Sequence, residues 1–517
     1  MNEAIELELF RHRFAAVAEE MGEVLTLAGF SPNIKERRDH SCAVFDGRGE
    51  MVAQAAHIPV HLGAAPLCVK AVLATCPPGD GETVIVNDPF AGGTHLPDIT
   101  LVTGVSLPGE GGELFHVATR AHHADVGGLT PGSLPPSRRI EDEGWRTGPV
   151  ALTEEVVASL LAESRTPDER RGDLAAQRAA NRLGRQRLQE LAARYGGGVV
   201  RRQAEALQAY TARRVEAFLE ELGAGEARVE DVLDDALGEG PPVRIALVMR
   251  VEGGRVDFDF RGSDPQVEGP MNAVRAIVES AVFYTLLCLV GADVPANSGV
   301  MRPVTIRTAP GTVVDAVYPA AVAAGNVETS QRLVDVCLAA FGELLPARVP
   351  AASCGSMNNV LIGSVAGASR PFVYYETNGG GHGGGPAGPG ASGMQVHMTN
   401  TLNTPVEALE HAFPLRIERY GLARGTGGRG RYPGGDGLER AWRFLEPAEL
   451  TVIADRRRRG PPGAMGGGDG TPGEQWLEGE GGARMPVPGK GTRRVEAGAV
   501  FAMRTPGGGG WGSEEGG

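Results

Sequence analysis

The sequence predicts a mixed α/β protein of the α+β type, with several mixed sheets, a helical arm and more than one domain. Three observations support this prediction. At 517 residues the chain is longer than one ordinary domain. Runs typical of strands alternate with Gly and Pro turns in two separate stretches, and a long helical stretch lies between them. The 76 glycines are about twice the usual share, which indicates many tight turns and close backbone approaches.

The chain divides into four predicted regions. They are an N-terminal metal-binding α/β region, a helical arm, a central α/β region with a Gly-rich loop, and a Gly-rich, β-rich C-terminal region: 1–150, 151–225, 226–420 and 421–517. In the arm, TPDE at 166–169 combines an N-cap, a Pro at the first helical position and a capping-box Glu. We expect this arm to pack on another domain or subunit.

Composition and charge exclude several classes of protein. The 50 Lys and Arg residues against 64 Asp and Glu give a net charge of −14, so we expect no nucleic-acid partner and no membrane partner. No apolar run reaches about 18 residues, and the acidic start MNEAIELELF lacks the features of a secretory signal. Six scattered cysteines without a CxxC pair argue against a disulfide scaffold or a zinc ribbon. We therefore expect a cytoplasmic protein.

The stretch NDPFAGGTHLPD places His95 and Asp98 on a turn between two apolar runs. Gly92 and Gly93 permit unusual backbone angles and Pro97 lacks an amide donor, so we expect a non-helical turn at the mouth of a sheet. Imidazole and carboxylate three residues apart on a rigid turn can reach the same cation, and Zn²⁺ or Mn²⁺ accepts this mixed donor set. Two ligands do not complete a metal site, however.

Further donors come from the segment TRAHHAD, which supplies His122, His123 and Asp125 after a strand-like run. If the strand continues, its side chains alternate, and only one of the two histidines faces the site. Asp39 supplies another carboxylate at the entry to the run SCAVFD. Each of these residues, taken alone, could equally be a hydrogen-bonded residue of a turn or of the core. The pattern therefore leaves two alternatives, a metal site and a structural cluster.

A second polar group surrounds the stretch YETNGGGHGGG. Its glycines match GxGxxG formally, but no helix is predicted there and GxxxxGK[ST] is absent from the sequence, so we expect no phosphate loop for ATP in this chain. The glycine run instead lets backbone amides approach a substrate, a phosphate or another chain segment. The polar residues here and in the segments GNVET and MTNTLNTP are candidates for a binding site, and the alternative is that they are ordinary polar residues beside turns. They are Glu376, Asn378, His382, Asn326, Glu328, Asn400 and Asn403. Cys354 is interpreted as a buried structural cysteine rather than a nucleophile.

Several long motifs together resemble the hydantoinase B / 5-oxoprolinase family. They are NDPFAGGTHLPDITLV, HHADVGGLTPGSLPP, EGWRTGPV, GNVETSQRLVDV, YYETNGGGHGGGPAGPGASG and HMTNTLNTPVEALE. The resemblance runs in order from about residue 4 to the terminal GGGGWG. It implies a subunit of an ATP-dependent enzyme related to hydantoinases, 5-oxoprolinases and lactam hydrolases, and to the acetone and acetophenone carboxylases.

The resemblance also implies roles for particular residues. The family's metal ligands correspond here to Asp39, His95, Asp98 and His122, which would hold one divalent ion, Zn²⁺ or Mn²⁺. His123 and Asp125 are then candidates for supporting the ligands or for catalysis. Apart from the resemblance, the polar segments described above make Glu376 a further catalytic candidate and Asn378, His382, Asn326 and Glu328 substrate-binding candidates. His40 departs from the family pattern, because relatives more often carry an aromatic or apolar residue at this position.

The function implied by the resemblance is that of the B-type subunit of an ATP-dependent amidohydrolase. It would open a cyclic amide such as hydantoin, 5-oxoproline or a lactam, after a hydantoinase A-type ATPase subunit binds ATP and phosphorylates the substrate. Since 517 residues leave no room for the ATPase half, we expect a hetero-oligomer such as a heterotetramer. The alternatives are a subunit of an ATP-dependent ketone carboxylase and a non-catalytic scaffold subunit with a structural metal.

Overall fold

The computed structural model describes residues 3–55, 57–108, 114–366, 368, 370–479 and 483–514. Its architecture is α+β, as predicted, with several sheets covered by helices. The helices α1 to α9 are Glu3–Ala28, Pro32–Lys35, His61–Thr75, Glu154–Glu163, Pro167–Tyr195, Gly197–Leu222, Arg275–Val290, Ser330–Leu344 and Val406–Ala412. A π-helical turn, Gly325–Thr329, leads directly into α8. Within these ranges no helix has the length and apolar character needed to cross a bilayer.

The strands form four sheets in the described part of the chain. Strands β1 to β19 are His40–Phe45, Met51–Gln54, Thr83–Val86, Asp98–Val105, Phe115–His122, Val150–Ala151, Gly225–Leu233, Val243–Glu252, Arg255–Asp259, Val304–Arg307, Asn359–Ser364, Val373–Glu376, Leu415–Ala423, Gly437–Phe444, Ala448–Ile453, Glu474–Glu478, Arg484–Pro486, Lys490–Val495 and Val500–Arg504. The strand orders are β2-β1-β5-β4-β3-β6, β10-β9-β8-β7, β12-β11-β15-β18 and β13-β14-β19-β16-β17.

The first sheet is buried on both faces. Every residue of β1, β4 and β5 is buried. Apolar residues of α1, α5 and α6 cover one face, and α3 contributes to the core on the other. The predicted helical arm therefore packs on this sheet. Gln177 and Asn181 of α5 secure it by donating hydrogen bonds to the carbonyl oxygens of Ile99 and Leu101, at 3.0 and 3.1 Å.

The glycine-rich segments pack against one another near the C-terminus. The amide of Gly508 donates to the carbonyl of Gly435 at 2.9 Å, and the amide of Gly435 donates to the carbonyl of His382 at 2.8 Å. A Cβ atom on Gly381 would overlap the carbonyl oxygen of Gly435. Of the three uses expected for the glycine run, contact with another chain segment is therefore the one observed at these positions.

The third sheet combines strands from two of the predicted regions. β11 and β12 lie within 226–420, whereas β15 and β18 lie within 421–517. One apolar cluster includes both Val360 of β11 and Trp442 of β14. The two predicted regions consequently share a hydrophobic core as well as a sheet.

Candidate metal centre

Three adjacent strands bring acidic and imidazole side chains to one edge of the first sheet. Asp98 begins β4 and His122 ends β5, and these two residues are direct partners in the antiparallel pairing. Asp39 immediately precedes β1, which lies on the other side of β5. Its carbonyl accepts a hydrogen bond of 3.0 Å from the backbone amide of His122. The strand register thus places Asp39, Asp98 and His122 close together.

The turn before β4 brings His95 to the same edge. Asp88 caps a short 3-10 helix, and Gly92 follows it with a φ of 98°, a left-handed conformation that favours glycine. The buried Asn87 amide donates to the carbonyls of Leu96 and Trp145 at 2.8 Å. These contacts fix a non-helical turn, as the sequence predicts, and hold His95 beside the start of β4.

Asp98 is the centre of a compact buried cluster. Its Oδ1 lies 3.3 Å from Nε2 of His95 and 3.5 Å from Nδ1 of His122. One potential ligand atom from each residue lies within 4.8 Å of the others. All three side chains are almost completely buried, with exposed fractions of 0, 1 and 3% for His95, Asp98 and His122. Two imidazoles and a carboxylate in this arrangement suit a Zn²⁺- or Mn²⁺-class ion.

Hydrogen bonds orient the His95 ring toward the cluster. Because a carbonyl oxygen can only accept, His95 Nδ1–H donates to Ala323 at 3.0 Å, which leaves Nε2 facing Asp98. The Asn326 side-chain amide lies 3.0 Å from this Nε2 and 3.3 Å from Asp98 Oδ2. The oxygen of that amide is buried and has no hydrogen-bond partner among the described residues. A carbonyl partner on one imidazole nitrogen is the usual support of a metal-binding histidine.

His61, the first residue of α3, belongs to the site although sequence reasoning missed it. Its Nε2 lies 3.3 Å from Asp98 Oδ2, and its Nδ1 lies 2.8 Å from Ser41 Oγ. Both side chains are buried. No local sequence pattern indicates it, because the contacts join the start of α3 to β1 and β4.

The charges of the cluster are strongly coupled. Burial raises the pKa of the Asp98 carboxyl, but His95, His61 and hydrogen bonds from His122 and His61 outweigh burial and hold this pKa well below its usual range. Burial lowers the pKa of His95, whereas Asp98 raises it, with a net increase. Burial dominates at His122 and lowers its pKa. The Asp98 carboxyl is therefore ionised in the folded protein, as a metal-binding carboxylate must be.

A small cavity lies at the centre of this group. Its volume is about 20 Å³, and Asp39, His61, Asp98, His122, Asn326 and Tyr375 contribute to its lining. A single water-sized sphere needs about 10–15 Å³, so the cavity has room for one ion. Nε2 of His122 is buried without a hydrogen-bond partner in the described structure. The residues present therefore fit one divalent cation.

Tyr375 and Arg37 close one side of the cavity. The Tyr375 ring stacks on His122 with centroids 4.8 Å apart and an interplanar angle of 25°. Arg37 is fully buried and donates to the Tyr375 carbonyl at 2.9 Å. Its second amino group lies 3.4 Å from Asp39 Oδ2. Arg37 thus links Asp39 to strand β12 and offsets part of the negative charge at the site.

His123 and Asp125, expected as catalytic candidates, lie away from the cavity. His123 faces α5, where its Nε2 lies 2.9 Å from Gln177 Oε1. The Asp125 carboxylate accepts from the backbone amide of Arg165 at 2.7 Å and pairs with the Arg165 guanidinium at 3.0 Å. Strand alternation turns His122 inward and His123 outward, so both catalytic candidates contact the helical arm.

Glu376 also lies on the opposite face of its strand. Tyr375 of β12 and Thr377, which follows this strand, line the cavity. The buried Glu376 carboxylate instead pairs with Arg440 at 2.7 Å and contacts the Tyr374 hydroxyl. Its other oxygen accepts from the amide of Thr404 at 2.5 Å. These contacts make the carboxylate part of a structural network that joins β12, β14 and the segment before α9.

Among the expected substrate-binding residues, only Asn326 lines the cavity. The Asn378 side chain donates to the Asn358 carbonyl at 3.0 Å, and His382 Nε2 lies 2.9 Å from the Gln395 carbonyl. Glu328 is buried and accepts from the Met357 amide at 3.1 Å and from Asn359 Nδ2 at 2.8 Å. Asn400 and Asn403 donate to the carbonyls of His57 and Thr377.

Burial raises the pKa of the Cys354 thiol to about 12, which fits a structural cysteine.

Comparison with known proteins agrees with the motif resemblance. The chain belongs to the Hydantoinase B/oxoprolinase family, whose model matches residues 3–514. It is 39% identical over 542 residues to 5-oxoprolinase 1 of Arabidopsis thaliana, an alignment that covers 99% of this chain and 42% of that relative. The chain therefore spans about two fifths of the length of this relative.

Two solved structures share the fold over nearly the whole chain. The ATP-dependent caprolactamase from Pseudomonas jessenii matches with a TM-score of 0.90 and 25% identity, covering 99% of this chain and 91% of that chain. A nucleotide-free acetone carboxylase matches with a TM-score of 0.87 and 16% identity, covering 99% of this chain and 76% of the other. At that identity the second match is a likeness of fold.

Proposed function

We propose that this chain is the B-type component of an ATP-dependent enzyme that opens a cyclic amide such as hydantoin, 5-oxoproline or a lactam. The observation that carries the proposal is the buried His95–Asp98–His122 cluster around a cavity of about 20 Å³. The similarity to 5-oxoprolinase 1 and to an ATP-dependent caprolactamase supports cyclic amides as the substrate class.

The candidate metal centre would hold one Zn²⁺ or Mn²⁺ ion through His95, Asp98 and His122, with Asp39 as a further carboxylate. When bound, such an ion polarises a carbonyl or phosphoryl oxygen, or lowers the pKa of a bound water to about 7. A neutral lactam carbon is a poor electrophile, whereas phosphorylation of its oxygen provides a leaving group. The centre would thus assist nucleophilic attack on the carbon of the activated amide.

The chain's own side chains would position the reactants. His61 lies at the cavity with Nδ1 facing Ser41 Oγ and Nε2 facing Asp98, so it is better placed than His123 to hold or move a proton. The Asn326 amide can donate to a substrate oxygen or accept through its unpartnered oxygen. The Tyr375 ring, stacked on His122, keeps water from that side of the cavity.

ATP would be bound by a hydantoinase A-type partner. The sequence has no GxxxxGK[ST] phosphate loop, and the relative 5-oxoprolinase 1 is more than twice as long as the aligned segment. The partner is proposed as a separate subunit in a hetero-oligomer such as a heterotetramer. A covalently linked ATPase region would supply the same chemistry.

The second candidate is a component of an ATP-dependent ketone carboxylase. The likeness of fold to acetone carboxylase favours it. In that reaction the same centre would stabilise an enolate during carboxylation rather than direct attack on an amide carbon. The requirement for bicarbonate separates the two candidates.

The test is turnover by the chain purified together with its ATPase partner. ATP hydrolysis is measured with hydantoin, 5-oxoproline, caprolactam and acetophenone, each with and without bicarbonate, and metal content is measured in parallel. Asp98→Asn is compared with Asp293→Asn, which changes an exposed carboxylate. Ring-dependent, bicarbonate-independent hydrolysis that is lost together with the metal in Asp98→Asn supports the proposal.

Three other results would replace the proposal. Bicarbonate-dependent turnover of the ketone assigns the carboxylase function. Full ring-opening activity in Asp98→Asn, with unfolding on chelation of the wild type, assigns a structural metal in a scaffold subunit. Wild-type protein without metal but with full activity removes the metal centre from the mechanism.

A further inference from the structure

A second cluster of metal-binding side chains lies on the opposite face of β1. His40 and Cys42 are two residues apart in this strand, so their side chains share one face, whereas Asp39 and Ser41 face the candidate metal centre. His57, which follows β2, completes the cluster. One potential ligand atom from each of the three residues lies within 4.8 Å of the others.

The two imidazoles converge in a pocket beneath α1. The rings of His40 and His57 are 4.9 Å apart and nearly perpendicular, with an interplanar angle of 72°. A Cβ atom on Gly22 of α1 would overlap the His57 ring, so this glycine creates the space that the imidazole occupies. The thiol of Cys42 is fully buried and unbridged.

Hydrogen bonds leave ligand atoms available in this pocket. His57 Nδ1 accepts from the backbone amide of Cys42 at 3.1 Å, which directs the other ring nitrogen, Nε2, toward α1. His40 Nε2 lies 2.9 Å from Thr26 Oγ1, whereas its Nδ1 is buried and has no hydrogen-bond partner in the described ranges. A buried imidazole nitrogen without a partner is costly unless something occupies it.

We propose that His40, Cys42 and His57 form a second metal site, specific for a thiolate-binding ion of the zinc class. Two imidazoles and one thiolate are a donor set that zinc favours. Zinc–nitrogen distances of about 2.0–2.1 Å and zinc–sulfur distances of about 2.3 Å give donor separations of about 3.4–3.6 Å. Because the present donor atoms lie within 4.8 Å of one another, formation of the site requires them to approach by at most about 1.4 Å.

The site would be structural and would act on the neighbouring centre through the backbone. His40 and Cys42 alternate with Asp39 and Ser41 along β1, and the segment from His57 leads into α3. An ion on the α1 side would therefore hold in place the strand and the loop that present Asp39 and His61 to the cavity. The proposal does not depend on the reaction catalysed.

Cobalt substitution tests the proposal by spectroscopy. The chain is produced in zinc-depleted medium with Co²⁺, as wild type and as the variants Cys42→Ser, His40→Phe and Cys68→Ser, the last changing another buried thiol. A thiolate ligand gives a sulfur-to-cobalt charge-transfer band in the near ultraviolet, which the nitrogen and oxygen donors of the first centre cannot produce. We expect this band in wild type and in Cys68→Ser, and its loss in Cys42→Ser and His40→Phe.

Metal counting and X-ray absorption give independent evidence. Cys42→Ser is expected to retain one metal fewer per chain than wild type, while circular dichroism shows that it remains folded. The zinc-loaded wild type should show a sulfur neighbour at about 2.3 Å. The proposal is overturned if metal-saturated wild type lacks both the charge-transfer band and the sulfur neighbour, or if the band persists in Cys42→Ser.

Discussion

Replacing Glu328 by Gln is expected to make thermal stability less sensitive to pH. Burial, together with the nearby Asp455 carboxylate, raises the pKa of Glu328 from 4.5 to about 8. The acid is therefore mostly neutral at pH 7, and Gln is its neutral isostere. The oxygen that accepts from Met357 and Asn359 is retained in the variant, and the other oxygen has no hydrogen-bond partner among the described residues.

The sign of the pH effect follows from the raised pKa. The stabilising contribution of the protonated acid is fully present below the unfolded value of 4.5 and is lost as pH rises through the folded value of about 8. Between pH 6 and pH 8 this loss is about 2 kcal/mol, at roughly 1.4 kcal/mol per pKa unit. With an unfolding entropy of about 2 cal/mol/K per residue, this loss of stability lowers the melting temperature of a chain of this length by about 2 °C.

The assay is the melting temperature of wild type, Glu328→Gln and the exposed control Glu446→Gln between pH 5 and pH 8. From pH 6 to pH 8, the melting temperature of Glu328→Gln relative to wild type should rise by about 2 °C, while that of the control stays constant. Parallel curves for all three proteins would mean that Glu328 is ionised throughout and would refute the reasoning. Ring-opening activity of Glu328→Gln near the wild-type value would exclude a role for an ionised Glu328 in substrate binding.

Three further predictions concern the candidate metal centre and its supports. His122→Phe should lose bound metal on dialysis, whereas His123→Phe should retain it, because only His122 faces Asp98; equal metal contents would contradict this assignment. His61→Gln should weaken metal binding by about 10–100-fold, the usual effect of removing a group that orients a ligand, as measured by competition with a chelator; unchanged affinity would place His61 outside the centre. Burial raises the pKa of Glu143 to about 7, so its stabilising contribution is present below 4.5 and lost as pH rises to about 7. Glu143→Gln should therefore gain about 2 °C in melting temperature relative to wild type from pH 5 to pH 7, and a constant difference would show that this acid is ionised.

The sequence predicts the fold class and the grouping of donors where local patterns decide them. The run DITLVTGV forms β4, and the run ELFHVATRA covers all of β5 except its last residue, so both strands have local signals in the sequence. The register that pairs Asp98 with His122 is seen in the structure. The turn that holds His95 has its own signal in Gly92. The family resemblance orders these segments along the chain, and the structure brings them together.

The sequence does not assign a role to residues for which the role depends on which face of a strand points to the cavity. Glu376 is a candidate because it flanks the glycine run, yet the strand period directs Tyr375 and Thr377 to the cavity and Glu376 to Arg440. Deciding which set faces the cavity requires knowing which sheet packs on which. That information lies in contacts between distant segments, which no local pattern contains.

Arg37 connects two distant segments of the chain at the candidate metal centre. This fully buried guanidinium contacts Asp39 next to β1 and the Tyr375 carbonyl in β12, more than 300 residues later. An unpaired buried charge is strongly unfavourable, so Asp39 and Arg37 are stable in this position only when the third sheet packs on the first. We therefore expect metal binding at the cavity to require the complete fold, because Asp39 beside the first sheet and Tyr375 on the third sheet are held together by the same buried guanidinium.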